Sequence, residues 1–214
     1  ARGRPPARAP RRDGGVATLT LNAPERMNAL STAMGGEIAQ ALRQVRADQN
    51  VRAMILAGAG THFCSGGDIS AMQQEITAPQ GRRQLRQAHG WLEDLIQLDG
   101  PVIAAVDGVA YGAGFSLALT ADIILATPRA RFGLPFLRMG VMPDCGILYT
   151  LPRIVGLQRA KALLLSMREL NAEALQQKQT VAVHVKLDSG MGRIGASIDE
   201  LPALLLSLLG SAYL

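Results

Sequence analysis

The chain has 214 residues, 48% of them apolar, with 22 Lys and Arg against 17 Asp and Glu and a net charge of +5. That length suits one domain with a full core, and the apolar content excludes a chain disordered throughout. Two cysteines exclude a disulfide framework, and Asp, Arg or Gly breaks each apolar run before it reaches the roughly 18 residues of a membrane span.

In chain order, Arg2, Arg4, Arg8, Arg11 and Arg12 stand among Pro5, Pro6 and Pro10 and carry most of the net charge. With no apolar periodicity, residues 1–13 read as a flexible, solvated arm, and no nucleic-acid partner is expected because the remaining body is close to neutral. Val16–Leu21 alternates apolar residues with Thr, the pattern of a half-buried strand. Ser31 is placed to cap a helix on which Met34, Ile38, Leu42 and Val45 recur at helical spacing. A continuous apolar run at 53–57 predicts a strand covered on both faces, and a helix follows around Leu85–Leu98. Further strands are predicted at 101–106 and 123–126, with a small-residue helix between Gly112 and about Thr120. A helical pattern then runs from about Gln158 to Leu175. Alternation of this kind predicts an α/β domain with helices packed on sheets.

Three segments can carry chemistry: Phe63-Cys-Ser-Gly-Gly-Asp-Ile69, the stretch Pro101–Gly114 ending in Tyr-Gly-Ala-Gly, and Gly140-Val-Met-Pro-Asp-Cys-Gly146. Each puts glycine or a small residue where a strand gives way to a loop or helix, so backbone N–H groups can approach a ligand unobstructed. Two such N–H groups converging on one oxygen make an oxyanion hole, which stabilises the enolate formed when a thioester loses its α-proton. Singly, each loop is weak evidence and is better explained by close helix–sheet packing.

In combination and in this order, from Gly14 to about Leu175 and including Arg26-Met-Asn-Ala-Leu30 and Leu151-Pro-Arg-Ile-Val-Gly156, these segments resemble the crotonase (enoyl-CoA hydratase/isomerase) superfamily. The resemblance implies an α/β ββα superhelix, a homotrimer or hexamer, and an acyl-CoA substrate bound without any further cofactor. It implies that the N–H groups of Gly67 and Ala113 form the oxyanion hole. By the same resemblance Ser65, Gly66, Asp68 and Ile69 lie along the CoA, with Arg26, Met27 and Ala29 near its nucleotide end; Arg26 can equally be an exposed loop cation.

Hydratases of this family position water with two glutamates, and the matching positions here hold Ser116 and Phe136. The remaining carboxylate is Asp144, in a Pro-Asp-x-Gly turn that resembles the ring-epoxyphenylacetyl-CoA isomerase-like branch, where such an Asp shuttles a proton. Asp144 could instead cap the helix that follows. Met142, Leu148 and Phe136 are expected to desolvate it and raise its pKa. His62 reads as structural, His89 lies in a polar helix, and no metal spacing is present.

Between Met167 and Leu175 the character changes: Val183-His-Val-Lys-Leu-Asp-Ser-Gly-Met-Gly-Arg-Ile-Gly195 resembles an alanine racemase segment, a likeness spanning roughly Leu170 to Leu209, in which Lys186 and Arg193 match functional positions. The 214 residues contain no Lys-Ala-x-Ala-Tyr-Gly segment to hold pyridoxal phosphate, so racemase chemistry is not expected. The expected organisation is an arm at 1–13, an acyl-CoA domain at 14–175 and a racemase-like fragment at 176–214. The leading function is a cytoplasmic acyl-CoA isomerase using Asp144, Gly67 and Ala113. A CoA-thioester-binding protein without turnover and a pyridoxal-phosphate racemase are the alternatives.

Overall fold

The structure, a computed structural model, describes residues 7–70 and 77–172. His184, Lys186, Arg193 and the rest of residues 176–214 lie outside the described residues.

The first strand, β1 (Ala7–Asp13), pairs antiparallel with β2 (Val16–Leu21), with Asp13 opposite Val16. This corrects the expectation of a flexible arm through residue 13. Gly14 and Gly15 connect the strands with φ of 54° and 86°, and a two-residue turn with both φ values positive closes a hairpin whose twist matches its strands. Pro10 is tolerated because β1 is an edge strand and its register slips between Arg8 and Arg11, where a missing N–H costs the ladder nothing. Ala7 at the start of β1 is buried in the core.

Helix α1 (Thr32–Ala47) starts as predicted: the Met34 N–H donates to Ser31 Oγ at 3.2 Å, and Met34, Ile38, Leu42 and Val45 are all buried. Strand β3 (Ala53–Gly58), helix α2 (Ala78–Ile96) and strand β4 (Val102–Val106) follow, and then β5 (Val109–Tyr111), α3 (Ala113–Ala118) and β6 (Ile123–Ala126). The five-stranded sheet has the order β1-β2-β3-β4-β6 and is parallel from β2 to β6. Its central strands are buried on both faces, which explains why they read as unbroken apolar runs. The main core lies between this sheet and α1 and α2, where Trp91 packs against Gly35.

A second sheet, β5-β7-β8, comprises β5, β7 (Arg131–Gly133) and β8 (Leu170–Asn171). Helices α4 (Ile147–Val155) and α5 (Leu157–Ser166) precede β8. The helix expected to run to Leu175 therefore ends earlier. Met167 adopts a left-handed φ of 52° with its N–H donating to the Leu163 carbonyl, and Leu170 then pairs with Phe132. Successive turns of strand and helix stacked on two sheets form the superhelix that the sequence resemblance implies.

Candidate active site

All three glycine-containing segments meet at the C-terminal ends of the parallel strands. The Phe63–Asp68 segment follows β3, and the Asp107–Gly112 segment follows β4. They pair through Cys64 and Ala110: the Tyr111 N–H donates to the Cys64 carbonyl and the Cys64 N–H to the Val109 carbonyl, both at 2.9 Å. The approach is close enough that a Cβ on Gly114 would stand 2.3 Å from the Cys64 carbonyl oxygen, and one on Gly66 would lie 2.8 Å from the Tyr111 oxygen. Glycine is thus required at both positions for the loops to pack together.

The residues before α1 fasten to the same place. The Leu30 N–H donates to the Gly66 carbonyl at 2.7 Å and the Asp68 N–H to the Leu30 carbonyl at 3.1 Å, a parallel bridge around Gly67. In that geometry the Gly67 N–H faces away from Leu30. Among the described residues, neither the Gly67 N–H nor the Ala113 N–H makes a backbone hydrogen bond. Gly67 is exposed, whereas Ala113 is buried at the start of α3.

Of the other residues matched to CoA binding, Met27 and Ile69 are exposed, Ala29, Ser65 and Asp68 are half-buried, and Gly66 is buried. The Arg26 guanidinium donates to the Asp68 carboxylate at 2.7 Å, so it is an exposed cation that already has a partner. Hydrogen bonds from the Ser70 hydroxyl and N–H are the main reason that the Asp68 carboxyl is held below its ordinary pKa, with Arg26 a smaller contributor.

Asn28 is a residue that the sequence reading passed over. It is fully buried at φ 56°, a conformation Asn tolerates better than most residues, and its side chain joins three segments. Oδ1 accepts the Ala23 N–H at 2.9 Å, while Nδ2 donates to the Ala59 and His62 carbonyls at 2.9 and 2.7 Å. His62 is structural, as expected: its Nδ1 accepts the Val109 N–H at 3.3 Å.

Asp144 reaches the site on the turn before α4. The capping alternative does not hold, because α4 begins at Ile147 with Gly146 as its cap and no side-chain cap bond. Asp144 uses its backbone carbonyl to accept the Ile147 N–H at 3.2 Å. Although the residue is exposed, its carboxyl is crowded on one side, and this desolvation raises its pKa above the ordinary 3.8. A hydrogen bond from the Cys145 thiol and the charge of His89 on α2 oppose the rise. Met142 is 76% exposed and Leu148 is also exposed, so they do not enclose the carboxyl as expected; Phe136 is buried.

Ser116 is fully buried on α3, and Phe136 closes against Gly112 with its ring tip 4.0 Å from where a Cβ would stand. Neither position offers a carboxylate. Burial raises both thiols, Cys64 and Cys145, to about 12, so neither supplies a thiolate nucleophile at neutral pH. Among the described residues no group of His, Cys, Asp or Glu could hold a metal ion, and no helix is long and apolar enough to cross a membrane. A cavity of about 300 Å³ lined by Arg46, Asp48, Arg52, Met54 and Asp99 lies at the opposite, N-terminal end of β3 and β4, away from these loops.

Comparison with known proteins bears on the family and the fold. Residues 11–185 match the enoyl-CoA hydratase/isomerase family, and residues 163–213 match the alanine racemase N-terminal domain. The chain is 42% identical over 162 residues to 1,2-epoxyphenylacetyl-CoA isomerase of Escherichia coli K12, covering 74% of this chain and 62% of the relative. It is 36% identical over 163 residues to short-chain-enoyl-CoA hydratase of Clostridium acetobutylicum, covering 76% and 62%. The solved enoyl-CoA hydratase/isomerase of Cupriavidus metallidurans CH34 superposes with a TM-score of 0.76 at 32% identity, over 92% of this chain and 70% of that one. The chain thus spans about three fifths of the length of these curated relatives. With the crotonase superhelix in place and most of its length matched, the chain belongs to the enoyl-CoA hydratase/isomerase family.

Proposed function

We propose that the protein is an acyl-CoA thioester isomerase that moves a carbon–carbon double bond. The observation that carries this reading is the pair Ser116 and Phe136 at the two positions where water activation would need carboxylates, with Asp144 left beside them. In the proposed step, the Asp144 carboxylate removes the C2 proton of a 3-enoyl thioester. The electron pair moves into a dienolate whose oxygen is held by the Gly67 and Ala113 N–H groups. Asp144 then returns the proton to C4, and the 2-enoyl thioester forms with no net change in atoms. Removing one oxyanion donor typically costs about 3–4 kcal/mol, so these two N–H groups are a large part of the proposed catalysis. No resident cofactor enters the reaction. Ser65, Gly66, Asp68 and Ile69 are proposed to flank the CoA, with Arg26, Met27 and Ala29 toward its nucleotide. Assembly into a trimer or hexamer belongs to the same proposal, since Leu148, Tyr149, Leu157 and Leu165 leave apolar surface exposed on α4 and α5.

The test offers 3-enoyl-CoA and 2-enoyl-CoA separately and follows the shifted alkene and the 3-hydroxyacyl product by chromatography. The shifted alkene is expected to form faster. Phe136→Glu is expected not to create an efficient hydratase, because Ser116 still lacks the second charge. Faster hydroxyacyl formation by the unaltered protein would sink the isomerase reading. Binding of both esters with no product would favour a CoA-thioester-binding protein without turnover.

The surroundings of Asp144 also set a pH dependence. Activity should rise with pH as the carboxylate forms, with a midpoint above 3.8 because desolvation favours the neutral acid. His89→Gln removes a charge that lowers this pKa, so the acid limb of kcat/KM is expected to move to higher pH. An unmoved limb in that variant would show that His89 does not act on Asp144.

A further inference from the structure

Ser116 has no role in the reaction written above, yet it is fully buried and bonded to the residue that has the central one. Its hydroxyl lies 3.2 Å from the Asp144 carbonyl oxygen and 3.2 Å from the Gly112 carbonyl oxygen. The Gly112 contact is a back-bond within the helical turn, of a kind Ser makes readily on its own. The contact with Asp144 spans 28 residues and joins two elements, α3 and the turn before α4. One hydroxyl proton serves both oxygens, a three-centre arrangement common near helix ends.

We propose that Ser116 is a positioning residue that ties the Asp144 turn to α3, the helix that begins at Ala113, so that base and oxyanion donor are held as one unit. Only three residues separate Ser116 from Ala113, and α3 is buried along its whole length, so it forms a rigid anchor. The Asp144 turn is held on one side by the buried Ile147, whose N–H donates to the Asp144 carbonyl, and by Cys145 packed against the core, while Met142 and Leu148 are exposed and Cys145 sits at a positive φ of 51°. A non-glycine residue at positive φ persists only where its surroundings hold it, and the Ser116 hydroxyl adds to those holds a buried bond from a second element. The groups that face the carboxyl are the Cys145 thiol, on its own turn, and His89 on α2; the buried Cys64 acts on Cys145 behind them. Ser116 holds the backbone, not the carboxyl, and so acts through Asp144.

The inference rests on the isomerase reading for its turnover readout, and a second readout separates the two. The experiment follows the titration of Asp144 by NMR in full-length protein carrying carboxyl-labelled aspartate, with Asp144→Asn identifying the signal, alongside kcat and KM for a 3-enoyl-CoA. In Ser116→Ala the turn should swing toward water and the Asp144 midpoint should fall toward the ordinary carboxylate value. The kcat should drop about tenfold to a hundredfold with KM nearly unchanged, since misplacing a catalytic group by about 1 Å can cost a hundredfold. Because Ser116 is fully buried, Ser116→Thr and Ser116→Val form a matched pair that crowds the site equally and differs in the hydroxyl alone. Thr should keep the titration midpoint and Val should lose it. An unshifted Asp144 midpoint in Ser116→Ala, or identical behaviour of Thr and Val, overturns the proposal. If the unaltered protein turns over no enoyl-CoA, the isomerase reading fails, while the titration still decides whether Ser116 holds the turn.

Discussion

Asp144→Asn is expected to slow double-bond migration by about 100- to 10,000-fold, the range that a positioned general acid–base contributes. The amide matches the carboxylate in size and leaves the backbone contacts of the turn in place, but it cannot take the proton. Affinity for the CoA thioester should stay nearly unchanged, because nothing that Asp144 does in this fold bears on the nucleotide end. The variant should also fold well. Gly146, not Asp144, caps α4, so no cap is lost. A carboxyl whose folded pKa is raised costs stability at pH values above both its unfolded and folded pKa and costs nothing below them. At neutral pH the amide therefore removes a cost, and the thermal midpoint should not fall. Single-turnover assays with a 3-enoyl-CoA, paired with a thermal melt, measure both effects. Full activity in Asp144→Asn would show that the proton is carried elsewhere.

The second large effect is on stability and lies at Asn28. Asn28→Ala is expected to destabilise the protein by about 3–5 kcal/mol, since it leaves the Ala23 N–H and the Ala59 and His62 carbonyls short of a partner and an unsatisfied buried group costs about 1–3 kcal/mol. Alanine at φ 56° adds roughly 1–2 kcal/mol of steric cost within that sum. For a chain of this size the thermal midpoint should drop by roughly 10 °C or more. Asn28→Gly separates the two causes, because glycine accepts the backbone angle but restores no hydrogen bond. It should recover only the smaller part. A glycine variant as stable as the original would show that the side-chain bonds contribute little. The loss should reach the site as well, because Asn28 holds the loop before Phe63 and thereby the segment that carries Gly67.

Legibility in the sequence followed the range over which each signal acts. The strand at Val16 and the helix at Thr32 are legible from periodicity because burial of one face repeats every two or 3.6 residues, and the strands at Ala53, Val102 and Ile123 from unbroken apolar runs because both their faces are covered. Strands β5, β7 and β8 have two or three residues each, too few for a period, and exist only because the chain returns to pair them. At the N-terminus the Arg- and Pro-rich composition of residues 1–13 points to a solvated arm, whereas the Gly14–Gly15 turn lets the same residues fold back and pair as a strand. Edge pairing satisfies the backbone whatever the side chains are.

What the sequence determined by itself was the family, its strand–helix alternation and the absence of a carboxylate at positions 116 and 136, because these are properties of residue identity and spacing. The tertiary structure decided how those residues are used. It paired Arg26 with Asp68, released Asp144 from the helix cap, brought His89 of α2 within electrostatic reach of that carboxyl, and set the Ser116 hydroxyl against the Asp144 carbonyl. Each of these depends on distances between residues far apart in the chain, which local propensity does not encode and which packing of the loops at one end of the parallel strands supplies.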